Sequence, residues 1–159
     1  MNTKKINVKS LFICIAIPLA VGGLAALLTM GSMEDFAALN KPPLSPPGWV
    51  FPVVWNVLYT FMGIASYFVL ETPAPSFRKK NSFKVYFLQL AFNFLWSIIF
   101  FTVGAFEIAF VWLVVLLALI VITTIKFFGI SRVAGFLMLP YIAWVAFAGY
   151  LNLAIAYLN

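Results

Sequence analysis

Five long apolar runs, at about residues 9–30, 48–70, 83–104, 107–128 and 133–157, leave little of the chain for anything else. A helix needs about 20 apolar residues to cross a hydrocarbon core of roughly 30 Å. The 159 residues hold five such spans with short connections and no separate water-soluble unit. The expected fold is therefore all-α: one integral-membrane domain, residues 1–159, built as a bundle of five transmembrane helices. Only 9% of the residues are charged, against roughly 25% in an ordinary soluble domain. A soluble fold has no way to hide the 65% that are hydrophobic.

The formal net charge of +6 does not point to nucleic acid, because the basic residues cluster beside the apolar runs, where anionic headgroups account for them. Lys4, Lys5 and Lys9 precede the first span, Arg78, Lys79, Lys80 and Lys84 follow the second, and Lys126 and Arg132 follow the fourth. The opposite side carries Lys41 alone. Basic residues stay on the cytoplasmic side of short loops, so the N-terminus is expected inside and the C-terminus outside, in a multi-pass protein of the cell's inner (cytoplasmic) membrane. The basic start and Ala20-Val21-Gly22 also fit a secretory signal peptide. The length of the run, and the next span coming with nothing soluble to secrete, favour an uncleaved helix.

Catalytic and metal chemistry are narrowly bounded. The chain has no histidine, its four acidic residues fall at span edges or in loops, and its single cysteine, Cys14, lies inside the first run. That leaves no ligand set for zinc or iron, no required cofactor and no ordinary acid-base pair. No Asp, Glu, Lys or Arg sits near the middle of a span, which disfavours an ion-driven pump.

Polar and aromatic residues inside the spans fall on stripes. In the third run Gln89, Asn93, Trp96 and Phe100 share one helical face. An amide facing lipid tails costs several kcal/mol unless paired, so this face should meet protein or a wet cavity. In the fifth run Tyr141, Trp144, Ala148 and Asn152 form a similar face, with Ala148 a small step between bulky groups. The second run offers Phe51, Trp55 and Tyr59, preceded by Trp49 at the outer boundary. Helix-to-helix pairing, packing and an aromatic-belt role for Trp49 compete at these positions with a ligand pocket suited to a large, flat, apolar molecule. The loop from Lys41 to Gly48 carries four prolines and should form a stiff, extended outer flap. Pro18, Pro52 and Pro140 fall in or near helical runs, where proline bends a helix and opens gaps.

Several stretches resemble the translocator protein family (TspO/MBR, tryptophan-rich sensory proteins, homologues of the peripheral-type benzodiazepine receptor), in its bacterial branch. They are Pro46-Pro47-Gly48-Trp49, then Trp55 with Leu58-Tyr59 and Met62-Gly63. Gln89, Asn93, Trp96 and Phe100-Phe101 come next, and last Pro140-Tyr141, Trp144, Phe147-Ala148 and Leu151-Asn152. The resemblance implies a five-helix fold, often homodimeric, whose cavity opens towards the first outer loop and binds protoporphyrin IX, haem and isoquinoline-type drug ligands. It places ligand contacts at Trp49, Phe51, Trp55, Tyr59, Gln89, Asn93, Trp96, Phe100, Tyr141, Trp144, Ala148, Leu151 and Asn152. Some bacterial relatives degrade protoporphyrin IX in light, which makes Trp55 and Trp144 the candidate catalytic residues. Many relatives have a Gly-Pro pair between the first two tryptophans, where this chain reads Val50-Phe51-Pro52-Val53-Val54. The mammalian sterol motif is not carried over, since Tyr157 is followed only by Leu158 and Asn159. Three readings stay open: a tetrapyrrole receptor or sensor, a passive translocator of tetrapyrroles or lipids, and a porphyrin-degrading enzyme.

Overall fold

The computed structural model describes residues 6–159; Lys4 and Lys5 of the first basic cluster lie outside the described residues. Among the described residues the chain is helical with short connections and has no strand. The elements are α1 (Val8–Thr29), α2 (Met33–Ala38), α3 (Val50–Glu71), α4 (Ser76–Ser97), α5 (Phe106–Phe128) and α6 (Arg132–Leu158). A short 3-10 turn (Met30–Ser32) joins α1 to α2, and a π-helical segment (Ile98–Val103) extends α4. Five of these stretches are long and apolar enough to cross a membrane, and in α5 the mean hydropathy reaches 3.0.

Local chemistry explains where the helices begin and stop. Asn7 caps α1 by accepting the Ser10 N–H at 3.2 Å, and Ser131 caps α6 by accepting that of Ala134 at 3.4 Å. Gly104 ends the π-helical segment at φ 68°, a conformation that costs a residue without a Cβ little. The largest departure from the apolar pattern is α4, which begins at Ser76, ahead of the apolar run. Its first turns carry Arg78, Lys79 and Lys80, and the Lys79 ammonium donates to the Leu70 carbonyl at 2.6 Å. That carbonyl lies in the last turn of α3, where acceptors lack partners within their own helix and a cation is favoured. The basic cluster is therefore helical and closes the neighbouring helix. Pro18 and Pro140 lie inside α1 and α6, whereas Pro52 falls in the first turn of α3, where no internal hydrogen bond is lost.

The five long helices form a closed ring in the order α1, α3, α6, α5, α4, each packing on the next and α4 returning to α1. Although consecutive in sequence, α3 and α4 touch little and meet mainly through long side chains across the middle. Close approach is concentrated on the α1–α3 seam. A side chain on Gly63 would run into the backbone of Ile15, and one on Gly22 into the ring of Tyr59. Small residues at such points let membrane helices come together. Apolar residues such as Phe12, Val111 and Phe136 are exposed on the outside of the ring, as lipid-facing surfaces should be.

Candidate functional site

Inside the ring, the amides and phenols of three helices satisfy one another. The Tyr59 hydroxyl (α3) donates to Asn93 Oδ1 (α4) at 2.6 Å, and Asn93 Nδ2 donates to the Tyr141 hydroxyl (α6) at 3.1 Å. Tyr141 in turn donates to Gln89 Oε1 at 3.0 Å, and Gln89 Nε2 reaches Met62 Sδ at 3.8 Å. Gln89, Asn93 and Tyr141 have no solvent-accessible surface. Trp55 stacks on Tyr59 at 5.4 Å between centroids and meets Tyr141 edge-on at 6.2 Å. These residues form a polar and aromatic plug across the middle of the bundle. One turn further along α4, the Tyr86 hydroxyl is buried with no partner among the described residues.

Above the plug, towards the end where α3 begins, lies a cavity with about 480 Å³ of empty space including its mouth. That falls within the roughly 300–1,000 Å³ of small-molecule sites. Trp96 and Ala148 form its floor, and Phe51, Phe100 and Phe101 stand in the walls. On the α6 side Leu151, Asn152 and Ile155 complete it. The floor is held firmly: Trp96 Nε1 donates to Asn152 Oδ1 at 3.2 Å, and Asn152 Nδ2 donates to the Phe106 carbonyl at 2.7 Å. Trp96 also stacks on Phe100 at 5.4 Å.

The lid comes from the α1–α3 connection. Phe36, on α2, stands in the mouth with its ring 5.9 Å from Phe100, 5.1 Å from Phe101 and 6.3 Å from Phe51. The Lys41 ammonium sits 5.0 Å over the Phe36 ring, a cation–π contact. Lys41, Ser45, Pro46 and Gly48 of the flap close the rest. The flap turns at Pro43–Leu44, where the Ser45 N–H donates to the Pro42 carbonyl at 3.3 Å and Leu44 takes φ 69°. A positive φ after proline is the type II turn geometry that favours glycine. The flap is tied down at two points. Tyr150 donates to the Pro43 carbonyl at 2.9 Å, and Asn40 and Asn159 exchange hydrogen bonds of 2.9 and 3.1 Å.

A second cavity opens on the outside of the ring between α3 and α6. Val53, Val54, Val57 and Leu58 form one side, and Pro140, Ala143, Trp144 and Phe147 the other. Of the residues expected at a ligand site, Phe51, Trp96, Phe100, Ala148, Leu151 and Asn152 line the inner cavity. Trp55, Tyr59, Gln89, Asn93 and Tyr141 belong to the plug beneath it. Trp144 lines the outer groove instead, and Trp49 is 69% exposed at the outer boundary. On a helix of 3.6 residues per turn, Trp144 falls off the line through Tyr141, Ala148 and Asn152. Sequence reasoning missed Phe36 and the whole of α2. A six-residue helix inside a loop gives no periodic signal, and only the acidic pair Glu34 and Asp35 in its first turn hints at it.

Comparison with known proteins agrees with this architecture. A tryptophan-rich protein TspO from Chlorobaculum tepidum is 37% identical over 96% of this chain and 98% of its own length. One from Archaeoglobus fulgidus is 34% identical over 96% and 99%, and the human translocator protein 37% identical over 74% and 70%. The TspO/MBR family model matches residues 14–158, and with five helices fit to cross a membrane, this multi-pass membrane protein belongs to the TspO/MBR family.

Proposed function

We propose that the chain is a membrane receptor or sensor for tetrapyrroles such as protoporphyrin IX and haem, and that isoquinoline-type ligands share the site. The observation that carries this reading is the inner cavity: aromatic walls from α3 and α4, a small floor residue at Ala148, and one fixed amide at Asn152. Flat apolar rings are bound by such faces, and a few placed polar groups set their orientation. The plug beneath, saturated with its own hydrogen bonds, supports binding over passage straight through the bundle. Passive translocation is the alternative, and it predicts transfer of ring across vesicle bilayers. Ala148→Phe fills the floor, and overpacking of about 1–3 kcal/mol corresponds to a loss of protoporphyrin IX affinity of about tenfold or more. Titration by quenching of tryptophan fluorescence measures it; unchanged affinity in the folded variant overturns the assignment of the cavity.

The same site supports light-dependent degradation, in which oxygen is the oxidant and a nearby indole donates an electron to the photo-oxidised ring. Trp55, packed 6.4 Å behind Trp96, and Trp144 are the proposed donors. Phenylalanine at either position should cost no more than about 1–2 kcal/mol of binding, because an apolar ring is retained. Bleaching of protoporphyrin IX at matched occupancy and oxygen should fall much further. Bleaching at the parental rate would mean that these indoles serve packing alone.

A further inference from the structure

The inner cavity and the outer groove are separated by one aromatic pair. Phe51 lines the cavity, Trp144 lines the groove, and their rings meet edge-to-face at 6.0 Å. Both side chains are half-buried. Their restraint differs sharply from that of the other indoles against the core. Trp96 and Trp112 donate to Asn152 Oδ1 and to the Phe92 carbonyl, at 3.2 and 2.9 Å, whereas the Trp144 N–H has no partner among the described residues. Nothing but apolar contact holds the Trp144 ring in place. Pro140 sits one turn below, where its missing N–H leaves α6 locally less constrained.

The outer mouth is the better sealed of the two openings. Phe36 fills it, and the Tyr150–Pro43 and Asn40–Asn159 hydrogen bonds hold the flap across it. A flat apolar ring dissolved in the bilayer would have to return to water to use that mouth, against the hydrophobic effect. The groove faces the bilayer directly: Val53 and Val57 are 54% and 46% exposed on a membrane-spanning helix. Whatever covers an apolar concavity on a lipid-facing surface is hydrocarbon, unless another protein lies there.

We propose that the α3–α6 groove is a binding site for a hydrocarbon chain of a bilayer lipid and the lateral port of the inner cavity, with Phe51 and Trp144 as its gate. At rest an acyl chain occupies the groove. An apolar ring arriving from the bilayer displaces that chain, and rotation of the unbonded Trp144 away from Phe51 admits it. The port rests on the reading of the inner cavity as a ring-binding site; the acyl-chain site does not.

Two measurements on the full chain in vesicles test this. In vesicles of phosphatidylcholine with dibrominated acyl chains, the fluorescence component lost on Trp144→Phe should be strongly quenched. An unquenched component would mean that a second copy of the chain covers the groove, which overturns the proposal. The second measurement uses Ala143→Phe, an exposed position that lines the groove and not the cavity. Protoporphyrin IX added to protein-containing vesicles should associate and dissociate about tenfold more slowly, with the dissociation constant unchanged within about twofold. Tyr150→Phe, which loosens the flap, should leave both rates as they are. Rates that respond to Tyr150→Phe and not to Ala143→Phe would place admission at the outer mouth and overturn the port. A parent protein that binds no protoporphyrin IX would sink the ring-binding reading and the port together, and the quenching result then decides the acyl-chain site alone.

Discussion

At the scale of single residues, the middle of the bundle is governed by the need to pair every polar atom where no water is available. Asn93 is the pivot, since it accepts from Tyr59 and donates to Tyr141. Asn93→Leu strands both phenols. It should destabilise the protein by about 1–3 kcal/mol, the scale of buried polar groups left unpaired, which exceeds the roughly 0.6 kcal/mol average for one interhelical bond in a membrane. Thermal unfolding in detergent, followed by intrinsic fluorescence, measures it. Tyr86→Phe makes the opposite case, because its hydroxyl is buried and unpartnered. Removing that oxygen should leave stability unchanged or raise it by up to about 1 kcal/mol. A clear loss for Tyr86→Phe would mean that its oxygen has a partner in the folded protein. The stripe on α4 was legible in the sequence because amides inside a 20-residue apolar run have few places to go. The displacement of Trp144 into the groove was less legible, because the same set of residues fits a broad face as well as a narrow one.

At the scale of elements, the seam between α1 and α3 is the most sharply specified contact. Gly63 lies where an added Cβ would meet the Ile15 backbone, so neither partner has a flexible end that can yield. Gly63→Val is therefore expected to cost more than the roughly 1–3 kcal/mol of ordinary overpacking and to lower yield of folded protein. Gly23, with open space at its Cβ position, should accept alanine without loss. Size-exclusion profiles of the two variants compare them directly. The five spans themselves were plain from hydropathy, since each is long and nearly continuous. The start of α4 and the existence of α2 were not. Charged turns at a membrane boundary read as loop by composition, although lysine stems lie along the helix while their heads reach polar groups.

At the scale of the whole molecule, charge is distributed by end. Lys9, Arg78, Lys79, Lys80, Lys84, Lys126 and Arg132 gather where α1, α4 and α6 begin and α3 and α5 finish, and Lys41 is alone at the flap end. Reporter fusions should place the N-terminus in the cytoplasm and the flap outside; both ends of the chain on one side would contradict an odd number of crossings. The broad apolar exterior is also expected to support a homodimer in mild detergent, measured by light scattering, with monomer alone across a wide concentration range as the contrary result.

The π-helical segment at Ile98–Val103 has a consequence for how the chain tolerates changes in length. A wide turn is how a helix accommodates one residue too many, and here it lies beyond the plug, among the cavity walls at Phe100 and Phe101. Deleting Thr102, which is exposed, should let the segment relax to ordinary helix and rotate the residues beyond it by about 100° around the helix axis. The membrane-spanning ring is expected to survive that loss of a residue, while the wall beside Phe101 is rebuilt. In a scan of single-residue deletions along α4 and its extension, positions 98–103 should yield folded protein with altered ring binding, and positions around Asn93 should yield none.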